Sequence, residues 1–166
     1  DSTSSDLKGV LNRLVTRSGE PVIRQAVTQA MKILGRQFVM GRNIDEALER
    51  AEGMERKGYR YSYDMLGEAA RTARDADRYF DAYEAAIAAI GRAAAGRGPI
   101  RSPGISVKLS ALHPRYEMAQ RRRTLDEVVP RLVELAKAAK AVDIGFTIDA
   151  EEADRLDLSL DVIEAV

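Results

Sequence analysis

The sequence has no cysteine, no tryptophan, a single histidine and no surplus of either charge, with 26 basic and 26 acidic side chains. The missing cysteines exclude disulfide frameworks, thiolate zinc sites, iron–sulfur ligation and a cysteine nucleophile together, and they point to a reducing compartment. One histidine cannot supply an H-E-x-x-H zinc motif, so no metal is expected. Balanced charge removes the bulk attraction to phosphate that drives nonspecific nucleic-acid binding, and no nucleic-acid partner is expected of this segment. No run approaches the ~20 apolar residues of a membrane span, and the start of the chain lacks the basic flank and apolar core of a signal peptide. A cytoplasmic protein is expected, with peripheral contact at an inner membrane left open.

What is present is a 45% apolar, 31% charged chain of 166 residues, the profile of one helix-rich globular domain. Residues 1–6 are small and polar and read as a tail. Leu7, Val10, Leu11, Leu14 and Val15 mark a short amphipathic helix that Ser18-Gly19 breaks. Pro21 suits a helix N-terminus, and Val22, Ile23, Ala26, Val27, Ala30, Met31, Leu34 and Phe38 recur as one helical stripe up to Gly41. Asn43 and Glu46 form a capping-box-like pair ahead of a third helix through Ala47, Leu48 and Ala51. Residues 1–57 are thus expected to form a tail and helical arm, and residues 58–166 a separate α/β unit.

The period changes at Tyr59–Tyr63, an aromatic run that reads as a strand ending at Asp64. A long alanine-rich helix follows from Asp75 through Tyr83 and Ile90, then a loop at Gly96–Pro99 and a strand at Gly104–Leu109. Gly91, Gly96 and Gly98 follow no strand and read as a helix C-cap and loop rather than a phosphate cradle. Leu125 to Ala139 gives another helix, Asp143 a turn, Ile144–Ile148 a third strand, and Leu156, Leu160 and Ile163 a final helix. Strand and helix alternate, the signature of βαβ units in a parallel sheet. Three such units leave two raw edges, and a complete (β/α)8 barrel takes about 250 residues, so the expectation is the first three βα units of a larger barrel, with Val166 a cut inside it.

In parallel α/β folds the ligand site lies at the carboxyl ends of the strands. Asp64 and Glu68 fall after the first strand, Lys108 near the end of the second, and Asp149 at the end of the third. Two readings are open for Asp64, Lys108 and Asp149: a functional site at one barrel mouth, favoured here, and a structural ion-pair network. Glu151, Glu152 and Asp154 read as first-turn helix acids. His113 and Glu117 have i, i+4 helical spacing but read as loop-ordering residues, and Arg121–Arg123 as a solvated face.

Three segments then resemble a known family. Tyr61–Ala69, Ile105–Tyr116 and Thr147–Leu156 resemble the first three strand-and-loop motifs of proline dehydrogenase, in the form found in the bifunctional proline utilization A flavoenzymes, and the likeness runs from about Leu14 onward. It implies a distorted (β/α)8 barrel that binds FAD and oxidises L-proline to Δ1-pyrroline-5-carboxylate, hydride passing from the ring carbon beside nitrogen to flavin N5. It further implies that Lys108 lies beside both flavin and substrate and that Asp149 supports the substrate pocket. Glu68 would pair with a substrate-binding arginine and gate the pocket, while Asp64 has no settled role. Most flavin contacts and the paired arginines for the substrate carboxylate would lie outside residues 1–166, so the remainder of the barrel is required. The family also implies a quinone or membrane electron acceptor and an aldehyde dehydrogenase domain on the same full-length chain. The alternative class of function is a non-catalytic α/β module that uses residues 7–57 as an interaction or dimerisation arm.

Overall fold

The computed structural model of the chain describes residues 19–35, 39–66 and 69–166. The tail, the helix expected over Leu7 to Val15, and the end of the Phe38 stripe lie outside them. The chain divides into two compact units, Asp1–Arg42 and Asn43–Val166. In the first, α1 is helical over residues 19–35, with Gly19 its first described residue, and the expected break at Ser18-Gly19 falls at the edge of the described residues. Its apolar stripe is uncovered, with Val22, Ile23, Met31 and Leu34 all exposed.

In the second unit the order is α2 (Ile44–Glu55), β1 (Ser62–Asp64), α3 (Ala73–Ala94), β2 (Gly104–Val107), α4 (Arg121–Ala141), β3 (Gly145–Ile148) and α5 (Leu156–Ala165). α2 starts as read: the Asn43 side chain accepts the Glu46 N–H. α3 starts two residues earlier than its apolar pattern, because Thr72 and Asp75 close a reciprocal capping box. It ends on Ala95 in the left-handed region, and Gly91 is not its cap. Gly91 lies within the helix, where a Cβ would come 2.6 Å from the Val142 Cβ, so its small size lets the α3 surface meet the end of α4. α4 opens at Arg121, four residues before its first apolar position Leu125, and there Arg121 pairs with Asp161 on α5 and Arg123 with Glu127 one turn on. That basic run therefore forms specific ion pairs as well as a solvated face.

Each strand is shorter than expected at one end. The Gly104 N–H reaches the Tyr61 carbonyl of β1, but the next N–H on that side, that of Ser102, bonds the Gly98 carbonyl instead, and Tyr59 and Arg60 fall outside β1. β2 stops at Val107 because the next N–H, that of Lys108, goes to the Tyr83 hydroxyl at 3.1 Å. The chain then turns through a short 3-10 helix at Leu109–Ala111. Ile144 likewise precedes β3, its N–H bonding the Ala139 carbonyl of α4.

The sheet is parallel in the order β1-β2-β3. Right-handed crossovers between strands laid down in sequential order put their helices on one face, and α3 and α4 pack on β2, β3 and each other. The core lies on that side: Tyr63, Ile105 and Val107 from the sheet meet a layer of Tyr83, Ile87, Ile90, Val128, Leu132 and Leu135, all buried. Filling that layer with branched and aromatic side chains supplies the main stabilising term of the unit. α5 has two apolar faces. Leu158 and Val162 are buried, whereas Leu156, Leu160 and Ile163, the stripe that marked the helix in the sequence, point outward.

Gly104 and Gly145 are register partners, and a Cβ on Gly104 would stand 2.7 Å from the Gly145 carbonyl oxygen. That oxygen belongs to a paired strand and cannot swing away. Gly104→Ala is expected to destabilise the protein by about 2 kcal/mol, read as a lower urea midpoint; an unchanged midpoint would show that β2 and β3 can separate freely.

Candidate active site

Side chains alternate across a strand, so residues in step with Asp64 and its partner Ser106 share one face. Lys108 is two residues beyond Ser106. Thr147 is the partner of Ser106, and Asp149 lies two residues beyond Thr147. The period of two therefore carries Asp64, Ser106, Lys108, Thr147 and Asp149 onto the face that α3 and α4 leave free. The ladder continues one step past β3, the Asp149 N–H donating to the Val107 carbonyl at 3.0 Å.

On that face the Lys108 ammonium donates to Asp64 Oδ1 at 2.5 Å and to Asp149 Oδ2 at 2.8 Å. Asp149 Oδ1 accepts the Ser106 hydroxyl. The lysine side chain is 17% exposed against 43% for Asp64 and 30% for Asp149, so the cation is the deepest member and the carboxylates reach toward solvent. Partial burial works against the lysine charge, but the hydrogen bonds from Asp149 and Asp64 outweigh it and hold the ammonium pKa well above its ordinary value. Burial likewise works to raise the Asp149 carboxyl, and the hydrogen bonds from Lys108 and Ser106 bring it below the usual carboxylate range. Lys108 and Asp149 are thus both ionised at neutral pH, and Lys108 serves as a fixed cation, not a proton donor.

All three candidates at strand ends come together as expected. Glu68 lies outside the described residues. Of the three acids after β3 that read as first-turn charges, only Asp154 lies in a first turn, that of the 3-10 helix at Ala153–Arg155. Glu151 and Glu152 precede that helix, and Glu152 pairs with Arg155. Glu151 accepts both the backbone N–H and the hydroxyl of Ser110. His113 and Glu117 share no helix. The buried His113 accepts the Arg115 N–H on Nδ1 at 3.0 Å and meets Glu127 through Nε2, also at 3.0 Å, which orders the loop after β2. Among the described residues no group of three His, Cys, Asp or Glu side chains could hold a metal.

Sequence reasoning passed over two supports. Ser106 could have been found, because it stands in step with Lys108. Tyr83 could not, since nothing local links a tyrosine on α3 to a lysine 25 residues later.

Comparison with known proteins places this geometry. Residues 47–166 match the family model described as proline dehydrogenase, and residues 1–38 match one described as the DNA-binding domain of proline dehydrogenase. The second match runs against the expectation that this segment has no nucleic-acid role. The chain is 56% identical over 160 residues to the bifunctional protein PutA of Klebsiella aerogenes, covering 96% of this chain and 12% of that protein. It is 53% identical over 167 residues to the Rhizobium meliloti protein of the same name, covering 99% and 13%. A crystal structure of a Bradyrhizobium japonicum proline utilization A variant aligns with a TM-score of 0.70 at 58% identity, covering 92% of this chain and 15% of that one. The chain therefore spans about an eighth of the length of the curated relatives it matches. No helix among the described residues is long and apolar enough to cross a membrane.

The cluster makes stability depend on pH in a defined way. A depressed Asp149 pKa contributes stability above its unfolded value of 3.8, lost as pH falls through the folded value. A raised Lys108 pKa contributes stability below 10.5, lost as pH rises toward the folded value. Lys108→Met, which leaves two carboxylates facing each other, is expected to cost about 2 kcal/mol on a plateau between these limits. The gap to wild type, followed by urea unfolding, narrows below pH 3.8 and again above 10.5; a gap independent of pH would rule the ion pairs out as its source.

Proposed function

Because the chain belongs to the proline dehydrogenase family, we propose that it builds one wall of the site where L-proline is oxidised to Δ1-pyrroline-5-carboxylate with FAD as electron acceptor. The observation that carries this reading is the Lys108 ammonium held between Asp64 and Asp149 on the helix-free face of the strand ends. A dinucleotide cradle is not expected within this wall: among the described residues no glycine-rich loop follows a strand. The donor set does fit the ring portion of a flavin and a small polar substrate. Lys108 faces a surface of small side chains, with Gly104, Ser106, Gly145 and Thr147 in step beneath it, leaving room for a flat group. FAD, when bound, supplies the two-electron acceptor for the hydride that leaves the proline ring carbon beside nitrogen.

The chain's own residues supply fixed charge. Lys108 stays cationic throughout, so it can hold a carboxylate or stabilise negative charge that develops nearby without giving up a proton. Asp149, fixed by Lys108 and Ser106, has its outer edge free to orient cationic groups such as the proline ammonium or an arginine from the rest of the barrel. In this reading Glu68 pairs with such an arginine and gates the pocket.

The fold supports a barrel that continues past these three units. β1 and β3 are each paired on one side only, all helices packed on the sheet lie on one face, and α5 exposes a second apolar stripe of Leu156, Leu160 and Ile163. A fourth βα unit would cover the β3 edge and the α5 stripe, and the last strand of a closed barrel would cover the β1 edge. The full-length protein would add an aldehyde dehydrogenase domain and pass electrons to a quinone or membrane acceptor.

A second reading concerns residues 1–42 alone. The exposed stripe on α1 and the match over residues 1–38 favour an interaction arm, to DNA or to another helix, that takes no part in oxidation. Removing these residues from the full-length protein should then leave proline turnover intact.

The test of the main reading is anaerobic addition of L-proline to the full-length protein. Its flavin absorbance should bleach, and Lys108→Ala should lower kcat/KM by roughly 10²-fold with flavin still bound. Wild-type kinetics in that variant would remove Lys108 from the site. Residues 1–166 alone, holding one wall, should retain no stoichiometric flavin.

A further inference from the structure

Two residues beyond Lys108 and Asp149 stand Ser110 and Glu151, and this second pair is also joined. Glu151 accepts the Ser110 backbone N–H at 3.0 Å on one carboxylate oxygen and the Ser110 hydroxyl on the other. Ser110 is 2% exposed, so its N–H has no water to turn to if the carboxylate is lost. The Ser110 carbonyl in turn accepts the Ala70 N–H at 2.9 Å, from the segment that follows β1. One buried residue thus ties together the chain leaving all three strands.

The sheet itself does not do this. Its last bond between β2 and β3 is the one from the Asp149 N–H to Val107, and the Lys108 N–H has already left the ladder for Tyr83. Above that level the separation of Lys108 from Asp149 is set by their own part-exposed side chains and by whatever holds the following loops. The Ser110–Glu151 link lies two residues beyond the ion pair on both segments, with Ser110 in the 3-10 helix that follows β2. Glu151 is directed at Ser110 and away from the Lys108 cluster.

We propose that Ser110 and Glu151 are positioning residues for proline oxidation, a clamp that keeps Lys108 and Asp149 at the spacing at which they meet the substrate. The proposal rests on the site being the proline-oxidising one. A small displacement of a charged group is enough to slow a reaction by an order of magnitude or more. A helix-terminal or merely solvated Glu151 would have no such effect.

The test uses the full-length, flavin-loaded protein and three readouts: stopped-flow bleaching by L-proline, calorimetric affinity for the ether isostere of proline, and the thermal midpoint. Glu151→Ala is expected to slow bleaching and weaken isostere binding by about tenfold each. Glu151→Gln, which keeps an oxygen for the Ser110 N–H, should restore most of both. In an Asp149→Ala background the further change Glu151→Ala should matter less than about twofold, because the group it positions is gone. Should Glu151→Ala fail to yield folded protein, Ser110→Ala replaces it in the same cycle with the same expected pattern. Wild-type rates and affinity in the clamp variants, or a loss carried undiminished into the Asp149→Ala background, would overturn the clamp. A wild-type protein that proline does not bleach would instead overturn the functional reading on which the clamp depends.

Discussion

A single ammonium group between two carboxylates governs the free face of this sheet. Asp64 and Asp149 project from strands on either side of the one that leads into Lys108, and without the lysine their charges would face each other across a half-buried surface. The cation makes the arrangement tolerable, and the arrangement in turn needs three strand ends at one level. That level is set far from the charges, at the start of the ladder, where Gly104 and Gly145 let two backbones approach closer than any side chain would allow.

The other face carries the stability that lets this one be polar. α3 and α4 cover Tyr63, Ile105 and Val107 with a layer of buried apolar side chains, and from within that layer the Tyr83 hydroxyl takes the Lys108 N–H. Core and site are therefore joined by one hydrogen bond that also ends the strand. The sequential order β1-β2-β3 with helices on one side is the winding that the proposed barrel requires, whereas a doubly wound sheet would reverse its order and cover both faces. In that proposed barrel the polar face is the inner one.

Much of this was legible in the residues. The change from a period of 3.6 to one of two marked the strands, and the rule that ligand sites lie at the carboxyl ends of parallel strands picked out Asp64, Lys108 and Asp149. Ends were harder to read, for physical reasons. β2 terminates because a tyrosine from another element intercepts its next N–H, and β1 starts late because the Ser102 N–H that would extend its pairing turns back to the Gly98 carbonyl. α5 was identified by Leu156, Leu160 and Ile163, yet it buries Leu158 and Val162 instead; a helix with two apolar faces does not say which faces inward. The Ser110–Glu151 link joins residues 41 positions apart, and pairings at that range leave no local pattern. The capping box at Thr72 and Asp75 was readable in the sequence and was passed over because the apolar stripe begins later.

The central claim is that Lys108 and Asp149 act as one charged unit on proline, beyond serving as a structural ion pair. A double-mutant cycle on the full-length protein tests it most directly, with Lys108→Ala, Asp149→Ala and their combination compared by the rate at which L-proline bleaches the flavin. The account predicts that the double variant is markedly less impaired than the product of the two single losses, because removing either residue already dismantles the unit. Losses that multiply strictly would contradict it.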